Sequence, residues 1–234
     1  MSPTLYTFSE SGNSYKARLI ASLLQIDISF QDIDVLAGAQ HSPAFLALNP
    51  RAQLPVLKDG DLVLSDSAAI LIYLAGMYPD CGSTTAPSSF WSKDIVEQAK
   101  ITEWLAFAAS WIQYGVFTAR AIVAYGGNYN GMGPKITEGG LEEARVRSHK
   151  SLEILEERLG REESGGWLAL GRLTIADISV FPYVALAPMG DIDLGPYKRV
   201  REWIERIKGL EGFVTMNGID DPTYLERKEK KLKL

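Results

Sequence analysis

The hydrophobic periodicity of this chain changes once, near Pro79, and that change limits the folds open to it more than any single motif. Before it, short apolar runs alternate with helical stripes. Leu5, Tyr6, Thr7 and Phe8 read as a buried strand, and residues 9–14 as a small polar turn. Tyr15, Leu19, Ile20, Leu23 and Leu24 recur at helical spacing, which starts a helix near Ser11 or Gly12. Residues 28–35 read as a second strand. Ser42-Pro43 opens a short helix through Phe45, Leu46 and Leu48, and Asn49-Pro50 stops it. Gln53-Leu54-Pro55-Val56-Leu57 is a proline-pinned turn into a strand. Gly60-Asp61 is the next turn, a second strand ends near Leu64, and Asp66-Ser67 opens a helix to about Tyr78. Strand, helix, strand, helix, two strands, helix is a small α/β layer whose parallel pair needs the first helix as its crossover.

After Pro79 the pattern turns helical. Residues 80–89 are rich in Ser, Thr, Gly and Pro, a linker composition. Trp104, Phe107, Ala108, Trp111, Gly115, Thr118 and Ile122 fall on one stripe of a long helix. Residues 126–140 read as a Gly-rich loop, and residues 141–159 as a charged amphipathic helix with Val146, Leu152 and Leu155 on its apolar face. Thr174 and Asp177 form a capping box between staple residues Leu173 and Ile178, so Asp177 reads as structural. A last helix surrounds Trp203. The organisation expected is an α/β domain over 1–79, a linker over 80–89 and an all-helical domain over 90–234, with no internal repeat.

The functional signal sits where the first part ends. A helix opening on Asp66-Ser67 exposes unpaired N–H groups and the positive end of its dipole, which suits an anion. Pro55 beside a strand leaves a neighbouring N–H and carbonyl free for a ligand backbone. The two together make a socket for a peptide-like molecule with a carboxylate. Other classes fall away. A net charge of −5 gives no basic surface for nucleic acid. One cysteine, Cys81, allows no internal disulfide and fits a reducing cytoplasmic setting. The first residues carry no basic, apolar leader, and the apolar run at 178–189 is broken by Pro182 and Pro188, so neither secretion nor membrane insertion is expected. His41 and His149 are too far apart in sequence to suggest a metal cluster. Neither a Gly-x-Ser-x-Gly elbow nor a Walker loop is present, and Gly131-Met132-Gly133 lies between helices rather than after a strand.

Five segments carry a resemblance: Ser11-Gly12-Asn13-Ser14 opening the first helix, Phe45-Leu46-x-x-Asn49-Pro50, Gln53-Leu54-Pro55, Asp66-Ser67, and Trp167-Leu168-Ala169-Leu170-Gly171 ahead of the Thr174/Asp177 box. In this order and spacing the chain resembles a cytosolic glutathione S-transferase of the serine type over nearly its whole length. The resemblance implies a thioredoxin-like N-terminal domain, an all-α C-terminal domain, a homodimer and a cis Leu54-Pro55 bond. It implies glutathione as co-substrate, no metal, and a small hydrophobic electrophile as the second substrate. Weakly catalytic binding of apolar ligands and glutathione-dependent peroxide reduction are the alternatives.

By the same analogy, Ser67 and its N–H would bind the γ-glutamyl carboxylate, and Asp66 would face the ammonium or hold the turn. Leu54, next to Pro55, would pair with the cysteinyl backbone, and Gln53, Gln40 and His41 would lie near the glycine carboxylate. Ser11 would hold the sulfur as a thiolate without attacking anything itself, with Asn13 as a competing donor. Ser14 reads as capping or packing and Tyr6 as core. The absence of cysteine at these positions argues against protein-thiol exchange. Trp111, Tyr114 and Phe117 are the candidates for the wall facing the thiol. Arg18 and Arg120 take no role, and the basic tail at 227–233, diluted by Glu226 and Glu229, reads as a solvated end.

Overall fold

A computed structural model of the chain describes residues 2–78, 89–127 and 138–224. The linker composition at 80–89, apart from Ser89, lies outside the described residues. So do Cys81, the Gly131-Met132-Gly133 stretch and the basic tail.

The first part is a four-stranded sheet in the order β2-β1-β3-β4, built from β1 (Thr4–Thr7), β2 (Ser29–Asp32), β3 (Val56–Asp59) and β4 (Leu62–Leu64). β1 runs parallel to β2 and antiparallel to β3, and β3 and β4 form a hairpin around Gly60, whose φ of +58° suits a residue without a Cβ. Helix α1 (Gly12–Leu23) is the crossover between the parallel strands, as their order requires. Helix α2 (Pro43–Leu48) starts at Ser42, whose hydroxyl accepts from the Phe45 N–H, and α3 (Ser67–Met77) follows the hairpin. The sheet and helices are those expected, but β2 is shorter than residues 28–35. It is an edge strand with all four residues exposed, so burial does not extend its pairing. Tyr6 is half-buried rather than core, edge-on to Phe45.

Helix α4 (Ile95–Phe107) starts on an Asp94 cap, passes into a π-helical stretch (Ala108–Phe117) and continues as α5 (Thr118–Tyr125). Helix α6 (Glu138–Gly160) crosses this stretch closely. A Cβ at Gly115 would lie 3.0 Å from the Ser148 nitrogen, so only glycine fits without displacement. The buried face of α6 is accordingly small where it crosses, with Ala144, Ser148 and Ser151, and becomes Leu152, Leu155 and Leu159 beyond. Val146 is a correction to the expected stripe: it is 62% exposed, because it lies a third of a turn away from Leu152 around the helix.

Helix α7 (Ile175–Ala185) is buried along its whole length and packs against α1, α3 and α4, so one apolar core runs from the sheet into the helices. Its capping box is formed as expected. The Asp177 carboxylate also accepts from the Leu168 N–H and the Trp203 indole N–H, both at 3.0 Å. Trp203 belongs to α8 (Lys198–Lys208), whose opening N–H groups at Arg199 and Val200 are met by the Glu156 carboxylate of α6. No helix among the described residues is long and apolar enough to cross a membrane.

Candidate functional site

A cleft of about 400 Å³ opens where the end of β1 and the starts of β3, α1 and α3 face the helical part. Ser11 is the cap of α1, nearly buried, with its Oγ accepting from the Ser14 N–H at 3.2 Å. That bond uses a lone pair and leaves the hydroxyl proton for an acceptor in the cleft. Ser14 is fully buried and its own Oγ accepts from the Phe8 N–H, so it packs the turn as expected. Asn13 is half-buried and lines the cleft beside Ser11.

The Leu54-Pro55 peptide is cis, and Leu54 makes no backbone hydrogen bond among the described residues. The loop before it is held by Asn49. The Asn49 amide donates to the Gln53 carbonyl at 2.8 Å and its oxygen accepts from the Arg51 N–H. Asp66 caps α3 by accepting from the Ala68 and Ala69 N–H groups through one oxygen. Ser67, the first residue of that helix, keeps its N–H and hydroxyl free of partners among the described residues. Gln40 sits in a short 3₁₀ turn (Ala39–His41), with its amide oxygen buried and without a hydrogen bond. An amide turned about its axis would offer the N–H₂ there instead, a donor suited to a carboxylate. His41 and Gln53 are exposed on the same rim.

The wall opposite comes from the helices. Phe117 lines it, edge-on to the Tyr183 ring with centroids 4.9 Å apart. Trp111 and Tyr114 correct the expectation. They are 42% and 62% exposed and do not line the cleft; Trp111 stacks on Phe107, and Tyr114 faces α6 at Glu143 and Arg147. The π winding is the physical reason. Its i→i+5 turns take more residues each than an α-helix, so a stripe drawn at 3.6 spacing drifts off its face.

The N-terminal domain family of glutathione S-transferases matches residues 1–76, and its C-terminal domain family matches residues 138–206. Glutathione S-transferase 2 of Anopheles gambiae is 31% identical over 186 residues, covering 80% of each chain. This chain belongs to the glutathione S-transferase family. A crystal structure of a glutathione S-transferase from Pseudomonas fluorescens is 28% identical, with a TM-score of 0.79, covering 93% of this chain and all of that one. The disulfide-bond oxidoreductase YfcG of Escherichia coli is 26% identical over 208 residues, covering 86% of this chain and 88% of its own.

Against the glutathione S-transferase pattern, the cleft brings together Ser11, Asn13, Gln40, His41, Gln53, Leu54, Pro55, Asp66, Ser67 and Phe117. It adds residues that the sequence argument passed over. Lys16 lines the cleft although it is only 5% exposed. Burial pulls its ammonium down to about 8, opposed by the charge of Asp66. A lysine on the apolar face of α1, one turn after Gly12 and ahead of Leu19 and Leu23, was the available signal. Arg51 donates to the Ser65 carbonyl and hydroxyl on the rim. Gln113, Ser179 and Tyr183 complete the helical wall. Tyr183 packs against the start of α1 so tightly that a Cβ on Gly12 would lie 2.6 Å from its ring. No spacing argument reaches that contact, because the partners are far apart in the chain.

Proposed function

We propose that this protein binds glutathione in the cleft, holds its thiol as a thiolate, and lets that thiolate attack a small apolar electrophile. The observation that carries the reading is a set of unfilled donors and acceptors at one socket, headed by the Ser11 hydroxyl at the mouth of α1. In this reading the γ-glutamyl carboxylate takes the N–H and hydroxyl of Ser67. The cysteinyl backbone pairs with Leu54 at the cis proline, and the glycine carboxylate lies toward Gln40, His41 and Gln53. Asp66, with one oxygen committed to the α3 cap, turns the other to the γ-glutamyl ammonium.

A free thiol has a pKa of about 8.5, so little thiolate exists at neutral pH. A hydrogen bond from Ser11, with Asn13 close by and the positive end of α1 beneath, favours the charged sulfur. Each unit of depression is worth about 1.36 kcal/mol. Phe117, Leu105 and Ala108 give the electrophile an apolar wall. The molecule acts as a homodimer in this reading. Exposed apolar residues on β4 (Leu62, Val63), α3 (Met77) and α4 (Ile95, Val96) support that.

The ultraviolet absorbance of bound glutathione thiolate, followed against pH, tests the mechanism. An apparent pKa below that of free glutathione is expected, and an equal or higher value sinks the activation step. Turnover of mixed disulfides without conjugation of any electrophile would move the reading to disulfide reduction.

A further inference from the structure

One charged group in the cleft has no work in the scheme above. The Lys16 ammonium lies 5.5 Å from the centroid of the Tyr183 ring, and the charge of Asp66 also acts on it. Among the described residues it makes no hydrogen bond or ion pair. Burying an ammonium that way costs several kcal/mol unless an anion meets it. Two neutral donors line the same wall. Ser179 is nearly buried in α7, and its hydroxyl makes no bond to the preceding turn. The Gln113 side-chain amide is likewise unpartnered among the described residues, while its main-chain carbonyl accepts from Thr118. Among the described residues the one carboxylate lining the cleft is Asp66, and it caps α3. Lys16, Ser179 and Gln113 therefore line one cleft together with apolar Leu105, Ala108 and Phe117.

The geometry points to an acceptor substrate that carries its own carboxylate, seated on the Lys16 ammonium with Ser179 and Gln113 as further donors, so that Lys16 determines acceptor specificity. This rests on the glutathione-transferase reading of the same cleft. The fit is to an aryl or alkyl electrophile with an acidic end, its apolar body against Phe117. For an unsaturated keto acid the step balances simply. The thiolate forms a C–S bond at the carbon β to the ketone, the C=C π pair moves onto the ketone oxygen, and solvent supplies the proton that completes the neighbouring carbon. The thiol proton has already left to solvent, and nothing is oxidised or reduced.

The probes are 3-benzoylacrylic acid and its methyl ester, each rate divided by its uncatalysed rate with glutathione. The wild-type protein is expected to favour the acid in kcat/KM. Lys16→Met should lower the acid-to-ester ratio at least about tenfold, the scale of one hydrogen bond to a charged group, and Lys16→Arg should restore most of it. Lys16→Met removes a buried charge with little change of volume, and unchanged circular dichroism and urea unfolding check that it folds. The same ratio in wild type and Lys16→Met overturns the assignment. So does a comparable loss of affinity for glutathione alone, since the charge would then belong to glutathione. If the wild-type protein turns over neither probe, the transferase reading is what fails. Calorimetry with the two preformed glutathione conjugates then decides Lys16: tighter binding of the acid conjugate, lost in Lys16→Met, upholds it, and equal binding ends it.

Discussion

The Ser11 hydroxyl has one proton and two lone pairs, and the fold uses them for different ends. One lone pair caps α1 through the Ser14 N–H. The proton remains for the cleft. Ser11→Ala therefore has two expected effects that separate experimentally. Loss of the cap lowers stability by about 1 kcal/mol in urea unfolding. Loss of the donor raises the pKa of bound glutathione and lowers kcat/KM about 10- to 100-fold, with glutathione affinity largely kept. A variant that loses stability alone would make Ser11 a cap and shift the donor to Asn13. Ser67 stands at the opposite end of the ligand. Ser67→Ala should weaken glutathione binding by roughly 1.5–3 kcal/mol in calorimetry, because the hydroxyl meets a full charge.

At the scale of elements, close approach and burial decide what sequence patterns leave open. Gly115 lets α6 lie against the π stretch, with the Ser148 nitrogen 3.0 Å from where a Cβ would stand. Gly115→Ala should cost about 1–3 kcal/mol in denaturant unfolding, since the obstacle is backbone and cannot turn aside. Asp177 joins α7, the Leu168 segment and α8 through one carboxylate. Burial raises its pKa to about 6, against the pull of those N–H donors. The folded protein thus binds this proton more tightly than the unfolded chain, whose carboxyl titrates near 3.8. Its contribution is full below that value and is lost as pH rises through about 6, on the order of 3 kcal/mol in all. Relative to Asp177→Asn, which does not titrate, the wild-type protein should lose stability between pH 4.5 and 7.5. A wild type that gains on the variant over that interval contradicts the assignment. The capping box was legible from Thr174 and Asp177 alone. The bond to Trp203 was not, because α8 reaches Asp177 only through the packing of the helical part.

At the scale of the molecule, α7 carries one core from the sheet into the helices. Exposed Ile95 and Val96 on α4 are outside that core. If they close a homodimer, replacing both with Glu should shift sedimentation from dimer to monomer at micromolar concentration, with the helical circular dichroism preserved. Roles for the socket residues from Ser11 to Ser67 came from the family resemblance, whereas the strand and helix order and the caps of α1, α2, α3 and α7 were legible in the sequence alone. Those features depend on residues a few positions apart, where period, turn chemistry and capping act locally. Tertiary structure decided the far wall of the cleft. It brought Tyr183 onto Gly12, set Lys16 beneath that ring, and turned Trp111 and Tyr114 outward. Each of those outcomes depends on how one helix is wound and where another crosses it, and such contacts between distant segments leave no periodic trace along the chain.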